Sequence, residues 1–204
     1  MSEATPAMWN VANVVTMSRI LVVPFFAWAL LAQGGHTLTW RIVATVIFGV
    51  AAISDRIDGD LARSRGLVTD LGKILDPIAD KTLIGAALIL LWAPLGEFGP
   101  HGWWVPTVVL VRELGITAMR MFLLRYVVLP ASRGGKAKTF IQSLAIGAFV
   151  LPLAYLPDWW RVLAWTVMGI AIVVTWVTGL DYAIAGARIW RKERRDLAYG
   201  AKDA

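Results

Sequence analysis

The stretch SDRIDGDLARSRGLVTDLGKILDPIADK, residues 54–81, places six aspartates between two apolar runs of an otherwise hydrophobic chain. The aspartates are Asp55, Asp58, Asp60, Asp70, Asp76 and Asp80. Carboxylates next to a membrane are costly unless they are paired or bind a cation. The chemistry of the protein is therefore expected to centre on this stretch.

The composition is typical of a protein that crosses the membrane several times. Hydrophobic residues make up 58% of the 204 residues and the mean hydropathy is +0.64, whereas soluble domains average roughly 45–50% apolar residues. No linker is visible, so we expect one membrane domain over residues 1–204, with a short cytoplasmic segment at 1–13 and a basic tail at 188–204. The chain has no cysteine, which excludes disulfides and thiolate metal sites. The net charge of +6 suits loops beside an anionic leaflet, and we expect no nucleic-acid partner.

Six apolar runs predict an all-α integral membrane fold with six transmembrane helices. Two runs, 139–157 and 162–180, carry no charge and are close to the length of about 20 residues that a span needs. Three of the others reach full length only by taking in charged residues at one end. The remaining four runs are residues 20–35, 42–54, 82–96 and 103–111.

The basic residues predict the orientation of these helices. Segments 33–41, 94–102 and 157–161 would face one side together, and they contain only Arg41 and Arg161 of the 20 Lys and Arg residues. Positive residues favour the cytoplasmic side, so we expect both termini and the charged helix ends there, in the plasma membrane, with the active site on that side. Tryptophans at the opposite boundary are typical of an aromatic belt. They are Trp40, Trp103, Trp104, Trp159 and Trp160.

Glycine and proline mark the predicted turns between the spans. Gly34-Gly35 and Gly99-Pro100 would lie in the outer connections, and Arg133-Gly134-Gly135 in an inner one. The basic run at 188–195 is expected to follow the last helix as a topology anchor.

Four of the aspartates are spaced so that they can converge. Asp55 and Asp58 are three residues apart and Asp76 and Asp80 are four apart, so each pair shares one face of a helix. A turn near residues 65–66 would let the two helices run antiparallel with the four carboxylates between them. Oxygen ligands of this kind suit Mg²⁺ or Mn²⁺ rather than zinc. We therefore predict that these four aspartates bind two divalent metal ions.

Small residues and an arginine accompany the carboxylates. Gly59 and Ala62 clear the helix surface beside the metal ligands, and Arg63 supplies a fork for phosphate oxygens. Together they predict a diphosphate substrate, because two-metal sites stabilise both the attacking and the leaving oxygen in phosphoryl chemistry. Asp60 and Asp70 lie off both helical faces, where we expect solvated carboxylates.

At this point the stretch resembles the signature of the CDP-alcohol phosphatidyltransferase family, D-x2-D-G-x2-A-R-x8-G-x3-D-x3-D, with every fixed position present from Asp55 to Asp80. The resemblance implies six transmembrane helices, a homodimer, a two-metal site on the cytoplasmic side, and transfer of a phosphatidyl group from a CDP-linked donor to an alcohol with release of CMP. It also implies that Asp80 is the general base as well as a metal ligand. The donor-binding residues implied within the signature are Gly59, Ala62, Arg63 and Gly72.

Three further elements are similar to the branch of the family that makes phosphatidylglycerol phosphate. The first is NVANVVTMSR, residues 10–19, where Asn13 and Thr16 match and would join the donor site. The others are LVRELGITAMR, residues 110–120, and GKAKT, residues 135–139. This branch implies CDP-diacylglycerol as donor and glycerol 3-phosphate as acceptor, with membrane lipids as surroundings.

The last two elements also indicate an anion site from their chemistry alone. Arg112 and Arg120 are eight residues apart, close to one helical face, and Lys136 and Lys138 stand just before the fifth span. Four cations beside a metal site suit an acceptor that carries a phosphate. The alternative is ordinary positive charge of inner loops, although an intramembrane Arg112 needs Glu113 or a ligand as its partner.

Other functions remain open at this level. The same chemistry with an inositol phosphate or phosphatidylglycerol as acceptor would make a phosphatidylinositol phosphate synthase or a cardiolipin synthase. A divalent-cation transporter would place its carboxylates near the bilayer midplane, whereas these lie at helix ends. A prenyltransferase with aspartate-rich motifs has no need for Gly59, Ala62 and Arg63 at this spacing.

Overall fold

The computed structural model describes the backbone of residues 11–64, 70–123 and 133–200, with side chains chiefly at 17–54, 81–121 and 138–188. Within these residues the chain has six α-helices, two short 3-10 helices and no strand, so the predicted all-helical fold is confirmed there. The α-helices are α1 Val11–Leu31, α2 Leu38–Ser64, α3 Asp70–Trp92, α4 Trp104–Leu123, α5 Arg133–Val150 and α6 Asp158–Gly200. The 3-10 helices are Ala32–Gly35 and Leu153–Tyr155.

The helices pack around a shared apolar core. Helix α1 packs against α2 and α3, α6 packs against α4 and α5, and α5 also contacts α2 and α3. Phe26 of α1 meets Phe48 of α2 with ring centroids 5.7 Å apart. Phe149 of α5 lies edge-on to Trp165 of α6 at 5.2 Å. These aromatic contacts hold neighbouring helices at fixed distances. The packed helices in turn position the polar residues at the two ends of the bundle.

The outside of the bundle is apolar as well. Leu21, Phe25 and Trp28 follow one another along α1 and are each more than 60% exposed. Val46 and Val50 form a similar stripe on α2, with exposures of 58% and 60%. A helix of a soluble protein carries polar residues opposite its core, so apolar stripes of this kind indicate contact with lipid.

One helical segment in the described part of the chain, Asp158–Arg188, has the length and composition to cross a membrane by itself. Four shorter apolar helical segments accompany it: Ile20–Gly35, Leu38–Ser54, Lys81–Trp92 and Lys138–Val150.

One buried arginine joins three connections at the same end of the bundle. The Arg41 side chain is 1% exposed. Its Nη2 pairs with Glu97 Oε1 at 2.7 Å and donates to the carbonyl oxygens of Phe149 and Leu151 at 2.8 and 2.9 Å, while Nη1 donates to Gly35 O at 3.4 Å. These partners lie at the ends of α1, α3 and α5. The predicted outer connections therefore meet, and we call this the outer end of the bundle and the opposite one the inner end.

The predicted turn after the first helix is confirmed, and its glycine is required. Gly35 has φ +75°, and a Cβ built there would lie 2.1 Å from Leu95 Cδ2. A side chain at this position would meet both a steric clash and an unfavourable backbone conformation. The turn therefore lets α1 and the connection after α3 pack closely at the outer end.

Three helix boundaries differ from those predicted. Helix α1 begins at Val11, so residues 11–13 of the expected N-terminal segment are helical. Helix α5 begins at Arg133 and includes the Gly134-Gly135 pair that was expected to form a turn. A glycine costs a helix only about 1 kcal/mol relative to alanine and does not end one by itself. The same helix ends at Val150 rather than at 157, because Pro152 disfavours helical backbone at the residue before it.

The prediction that a basic tail follows the last helix was wrong. Helix α6 continues without a break through the basic run to Gly200, over 43 residues. At 1.5 Å per residue its length is about 65 Å, roughly twice the hydrocarbon thickness of a bilayer. The basic run is rich in Arg, Lys and Glu, which are strong helix formers, and residues 188–199 contain neither proline nor glycine.

Candidate active site

The six aspartates occupy the ends of two confirmed helices. Asp55, Asp58 and Asp60 lie in the last turns of α2, and Asp76 and Asp80 lie in the first half of α3. Asp70 is the first residue of α3. Helical backbone at these positions supports the predicted spacing, since residues three and four apart then share a face.

The two helices run antiparallel with their aspartate-bearing ends together. Arg41 near the start of α2 contacts Glu97, which follows the end of α3. At their other ends the helices are joined by residues 65–69 alone, and so few residues reach at most about 20 Å. Helices that meet at one end and are tied by a short segment at the other must point in opposite directions. The aspartates therefore lie at the inner end.

The predicted metal site itself falls outside the described side chains. The side chains of Asp55, Asp58, Asp76 and Asp80 are not described. Among the side chains that are, no group of three or more His, Cys, Asp or Glu residues is close enough to hold a metal ion. The predicted donor set consists of carboxylate oxygens on two antiparallel helices, a chemistry that fits Mg²⁺ or Mn²⁺.

A buried cluster of charges lies where α4, α5 and α6 meet. Arg112 of α4 and Lys138 of α5 are 8% and 7% exposed. Both pair with the same carboxylate oxygen, Glu113 Oε1: Arg112 Nη1 at 3.2 Å, and Lys138 Nζ in direct contact. We call these three residues the Glu113 cluster. Among the described side chains it contains two cations and one anion, so this buried cluster has one positive charge in excess.

The Glu113 cluster is adjacent to the aspartate-bearing helix α3. Lys81, which directly follows Asp80 in the chain, is close enough to Lys138 for the two charges to repel each other. Two of the predicted acceptor-binding cations are thus brought together at the inner end, beside the helix that carries Asp76 and Asp80. Of the two partners expected for Arg112, Glu113 or a ligand, the structure shows Glu113. Lys138 lies inside α5 rather than before it.

Helix α6 contributes contacts that the sequence analysis missed. Arg112 Nη2 donates to Thr178 Oγ1 at 2.9 Å, and the Arg112 side chain lies directly over Gly179. Thr175, one turn earlier, is 1% exposed. The run 162–180 was interpreted only as a span, although a threonine and a glycine close together in an apolar helix are a signal that a polar side chain packs there.

The other predicted site residues have a backbone position but no described side chain. Asn13 and Thr16 lie in the first turns of α1, and Arg120 lies in α4. Lys136 lies in the first turn of α5. Gly59, Ala62 and Arg63 in α2 and Gly72 in α3 complete this group. Their roles stay predictions.

The fold and the inner end together define a class of helical protein, one that places an acidic pair of antiparallel helices beside a buried, positively charged cluster. Comparison with known sequences identifies the class. The chain belongs to the CDP-alcohol phosphatidyltransferase family, whose profile matches residues 9–177. The match covers both aspartate-bearing helices and the Glu113 cluster. The protein is therefore an enzyme, and the transporter and prenyltransferase alternatives are set aside.

Relatives in three bacteria carry more specific names. The chain is 49% identical over 179 residues to a probable phosphatidylglycerophosphate synthase of Mycobacterium tuberculosis, covering 88% of this chain and 82% of that protein. It is 32% identical to a CDP-diacylglycerol–glycerol-3-phosphate 3-phosphatidyltransferase of Bacillus subtilis, covering 86% and 94%. A protein of the same name from Rickettsia typhi is 35% identical, covering 86% and 96%. The resemblance stated from the signature is thereby confirmed.

Proposed function

We propose that this enzyme transfers the phosphatidyl group of CDP-diacylglycerol to glycerol 3-phosphate, producing phosphatidylglycerol phosphate and CMP. The observation that carries the proposal is the Glu113 cluster, in which two buried cations share one carboxylate. Burying an excess of positive charge is costly unless an anion joins it. A small phosphate monoester carries about −1.5 to −2 charge near neutral pH and would supply that anion.

The acceptor would bind between the Glu113 cluster and the start of α5. Arg112 and Lys138 would hold its phosphate, with Arg120 and Lys136 as further cationic contacts. The inner end of α5 adds the partial positive charge of a helix N-terminus. The names of the three relatives support glycerol 3-phosphate as the acceptor over inositol phosphate or phosphatidylglycerol.

The donor would bind at the aspartate-bearing helices with its acyl chains in the bilayer. Gly59 and Ala62 would let the CDP group approach α2, and Arg63 would contact the diphosphate. Gly72 of α3 and Asn13 and Thr16 of α1 would complete the donor site. Packing of α1 against both α2 and α3 supports a site to which all three helices contribute.

Asp55, Asp58, Asp76 and Asp80 would hold Mg²⁺ or Mn²⁺, as members of this family generally depend on divalent metal ions. The bound ions would neutralise the diphosphate and stabilise the oxygen that leaves with CMP. Two ions suit four carboxylates and a diphosphate better than one, because each phosphate then has its own counter-charge.

Asp80 would act as general base. It takes the proton from the acceptor hydroxyl, whose oxygen then attacks the phosphorus on the lipid side of the diphosphate. The new P–O bond forms in line with the P–O bond that breaks, and the electron pair of that bond leaves with CMP. The burial of Arg112 and Lys138 would limit the access of water to the bound acceptor and so favour transfer over hydrolysis.

We also propose that the six α-helices are six membrane spans, with both termini and the active site on the cytoplasmic side of the plasma membrane, in a homodimer. The apolar stripes on α1 and α2 support a lipid-facing exterior. Arg41 joins three connections that contain few Lys or Arg residues. This supports the predicted orientation in the membrane, because the basic residues then gather at the inner end.

The test is CMP release from CDP-diacylglycerol by the purified protein with Mg²⁺ or Mn²⁺, measured against a panel of acceptors. We expect glycerol 3-phosphate to be used far better than inositol phosphate, phosphatidylglycerol or uncharged glycerol. Glycerol is the matched control, because it offers the same hydroxyl without the phosphate. Preference for inositol phosphate or phosphatidylglycerol would overturn the acceptor assignment and leave the transferase chemistry in place.

A further inference from the structure

Two neighbouring residues of helix α6 contact the Arg112 side chain. A Cβ built on Gly179 would lie 2.9 Å from Arg112 Nε and 3.4 Å from its Cγ. The glycine surface is therefore in direct contact with the arginine side chain along its length. Next to it, Thr178 Oγ1 accepts a hydrogen bond from Arg112 Nη2 at 2.9 Å. Neighbouring residues of one helix thus provide a flat surface and an acceptor for the same guanidinium.

The Thr178 hydroxyl is itself oriented by the backbone of α6. Its oxygen lies 2.7 Å from Val174 O and 3.0 Å from Thr175 O, so its hydrogen is donated to a carbonyl within the helix. A hydroxyl has one donor and two acceptor lone pairs. With the hydrogen directed at the backbone, a lone pair stays directed at Arg112. The acceptor is therefore fixed before any substrate arrives.

The guanidinium is consequently held by groups on two helices. Glu113 of α4 accepts from Nη1 at 3.2 Å, and Thr178 of α6 accepts from Nη2. Arginine has many rotamers, and immobilising such a side chain on binding lowers affinity. A guanidinium that is already immobilised avoids this loss.

We propose that Thr178 and Gly179 are positioning residues that hold Arg112 in the orientation needed for the acceptor phosphate, and so set the affinity for the acceptor. The inference rests on the proposed function. Both residues lie just beyond the family match, which ends at residue 177, and neither touches the aspartate-bearing helices through any contact described above. Among the described residues, the contacts of Thr178 and Gly179 connect them to the acceptor site through Arg112.

The variants Gly179→Ala and Thr178→Val test this. The alanine Cβ would lie 2.9 Å from Arg112 Nε, and all three atoms nearest to it belong to the Arg112 side chain and none to the backbone. Alanine also favours helix more than glycine does, so we expect Gly179→Ala to fold with the Arg112 side chain displaced. Valine has the shape of threonine without the acceptor oxygen. We expect each variant to raise the KM for glycerol 3-phosphate about three- to tenfold, with kcat and the KM for CDP-diacylglycerol little changed. Thr178→Ser keeps the oxygen and should behave like the unmodified protein.

Two matched controls lie on the same helix. A Cβ at Gly169 meets no atom within 4 Å, so Gly169→Ala makes the same helix substitution away from Arg112. Thr166 Oγ1 donates to Val162 O at 2.8 Å and is exposed, so Thr166→Val removes the same kind of hydroxyl away from the cluster. Neither should change the KM for glycerol 3-phosphate.

The possible results separate this inference from the proposed function. An unchanged KM for glycerol 3-phosphate in both test variants, together with a raised one in Arg112→Ala, would overturn the positioning role alone. An equal rise in the KM values of both substrates would also overturn it, because a general structural defect would then explain the change. Failure of the unmodified protein to use glycerol 3-phosphate would overturn the proposed function instead.

Discussion

The two ends of the bundle each bury an arginine beside a glutamate, but the charges are balanced differently. At the outer end, Arg41 pairs with Glu97 and donates its other hydrogen bonds to backbone carbonyl oxygens. At the inner end, Glu113 is shared by Arg112 and Lys138. Among the described side chains the outer pair is neutral, whereas the Glu113 cluster has one positive charge in excess.

The difference in charge balance indicates the role of each end. A neutral pair whose donors contact the ends of three helices has no charge left for a ligand and serves to hold connections together. A cluster with excess positive charge is stabilised by an incoming anion. Two similar groups of buried charges thus have different roles, one in stability and one in anion binding. The variants below test this difference, beginning with the predicted reacting groups of the inner end.

The largest effect is expected at the centre of the aspartate set. Asp58→Asn should lower turnover more than about a hundredfold and weaken Mn²⁺ binding, because a metal ligand loses its charge. Turnover is measured as CMP release and metal binding by titration. Asp60→Asn is the matched control, because Asp60 is two residues away and off the predicted face. It should leave turnover and Mn²⁺ binding almost unchanged. Equal losses in the two variants would contradict the helical-face argument.

The variant Asp80→Asn distinguishes a role of Asp80 as general base from a role as metal ligand. If Asp80 is the general base, turnover falls by a factor of about 10² to 10⁴, while a CDP analogue binds as before in the presence of metal. Binding is followed by titration with the analogue, in parallel with CMP release. Joint loss of binding and turnover would mean that Asp80 acts chiefly as a ligand and that another group is the base.

Substitution of Glu97 and Glu113 tests directly whether the two ends differ in charge balance. Glu97→Gln and Glu113→Gln should each lower the free energy of unfolding by about 3 kcal/mol, because each leaves a buried cation without its counter-charge. Only Glu113→Gln should then be restabilised by added glycerol 3-phosphate, since the phosphate replaces the lost negative charge. Thermal unfolding with and without the ligand measures both. Equal restabilisation of the two variants would remove the distinction between the ends.

The cations of the inner end should affect the acceptor alone. Lys138→Ala and Arg120→Ala should raise the KM for glycerol 3-phosphate at least about tenfold, as expected for loss of a charge-assisted contact worth about 1.5–3 kcal/mol. The KM for CDP-diacylglycerol should change little. Arg161→Ala, an exposed arginine near the outer end, is the control and should leave both constants unchanged. A rise in the donor KM instead would move these residues to the donor site.

The smallest effect is expected at the outer end. Trp160 Nε1 donates to Ala148 O at 3.2 Å, which ties α6 to α5. Trp160→Phe should lower the free energy of unfolding by about 1 kcal/mol, the usual contribution of one hydrogen bond, without changing either KM. The neighbouring Trp159 is 61% exposed, and Trp159→Phe should change stability by less than about 0.5 kcal/mol. A change in the acceptor KM would show that the outer end influences the site.

The amino-acid sequence was enough to predict the helices, which the structure confirms, and to propose the reacting groups. Apolar runs of helical length and the three- and four-residue spacing of the aspartates are local properties, because each depends only on residues within a turn or two. The same is true of Gly34-Gly35, whose turn was confirmed. The family signature added the chemistry, and the family is confirmed over residues 9–177.

The partners of the buried charges became known only from the packing of the helices. Arg41 finds Glu97 56 residues away and Leu151 110 residues away. Arg112 finds Thr178 at a separation of 66, and Lys138 finds Glu113 at 25. No local spacing specifies such contacts, since they depend on which helices pack together and at what depth. For the same reason, the sequence showed Arg41 only as an exception to the preference of basic residues for the cytoplasmic side. It showed Thr178 and Gly179 only as part of an apolar span. Their roles follow from a buried arginine's need for hydrogen-bond acceptors that only other helices can provide.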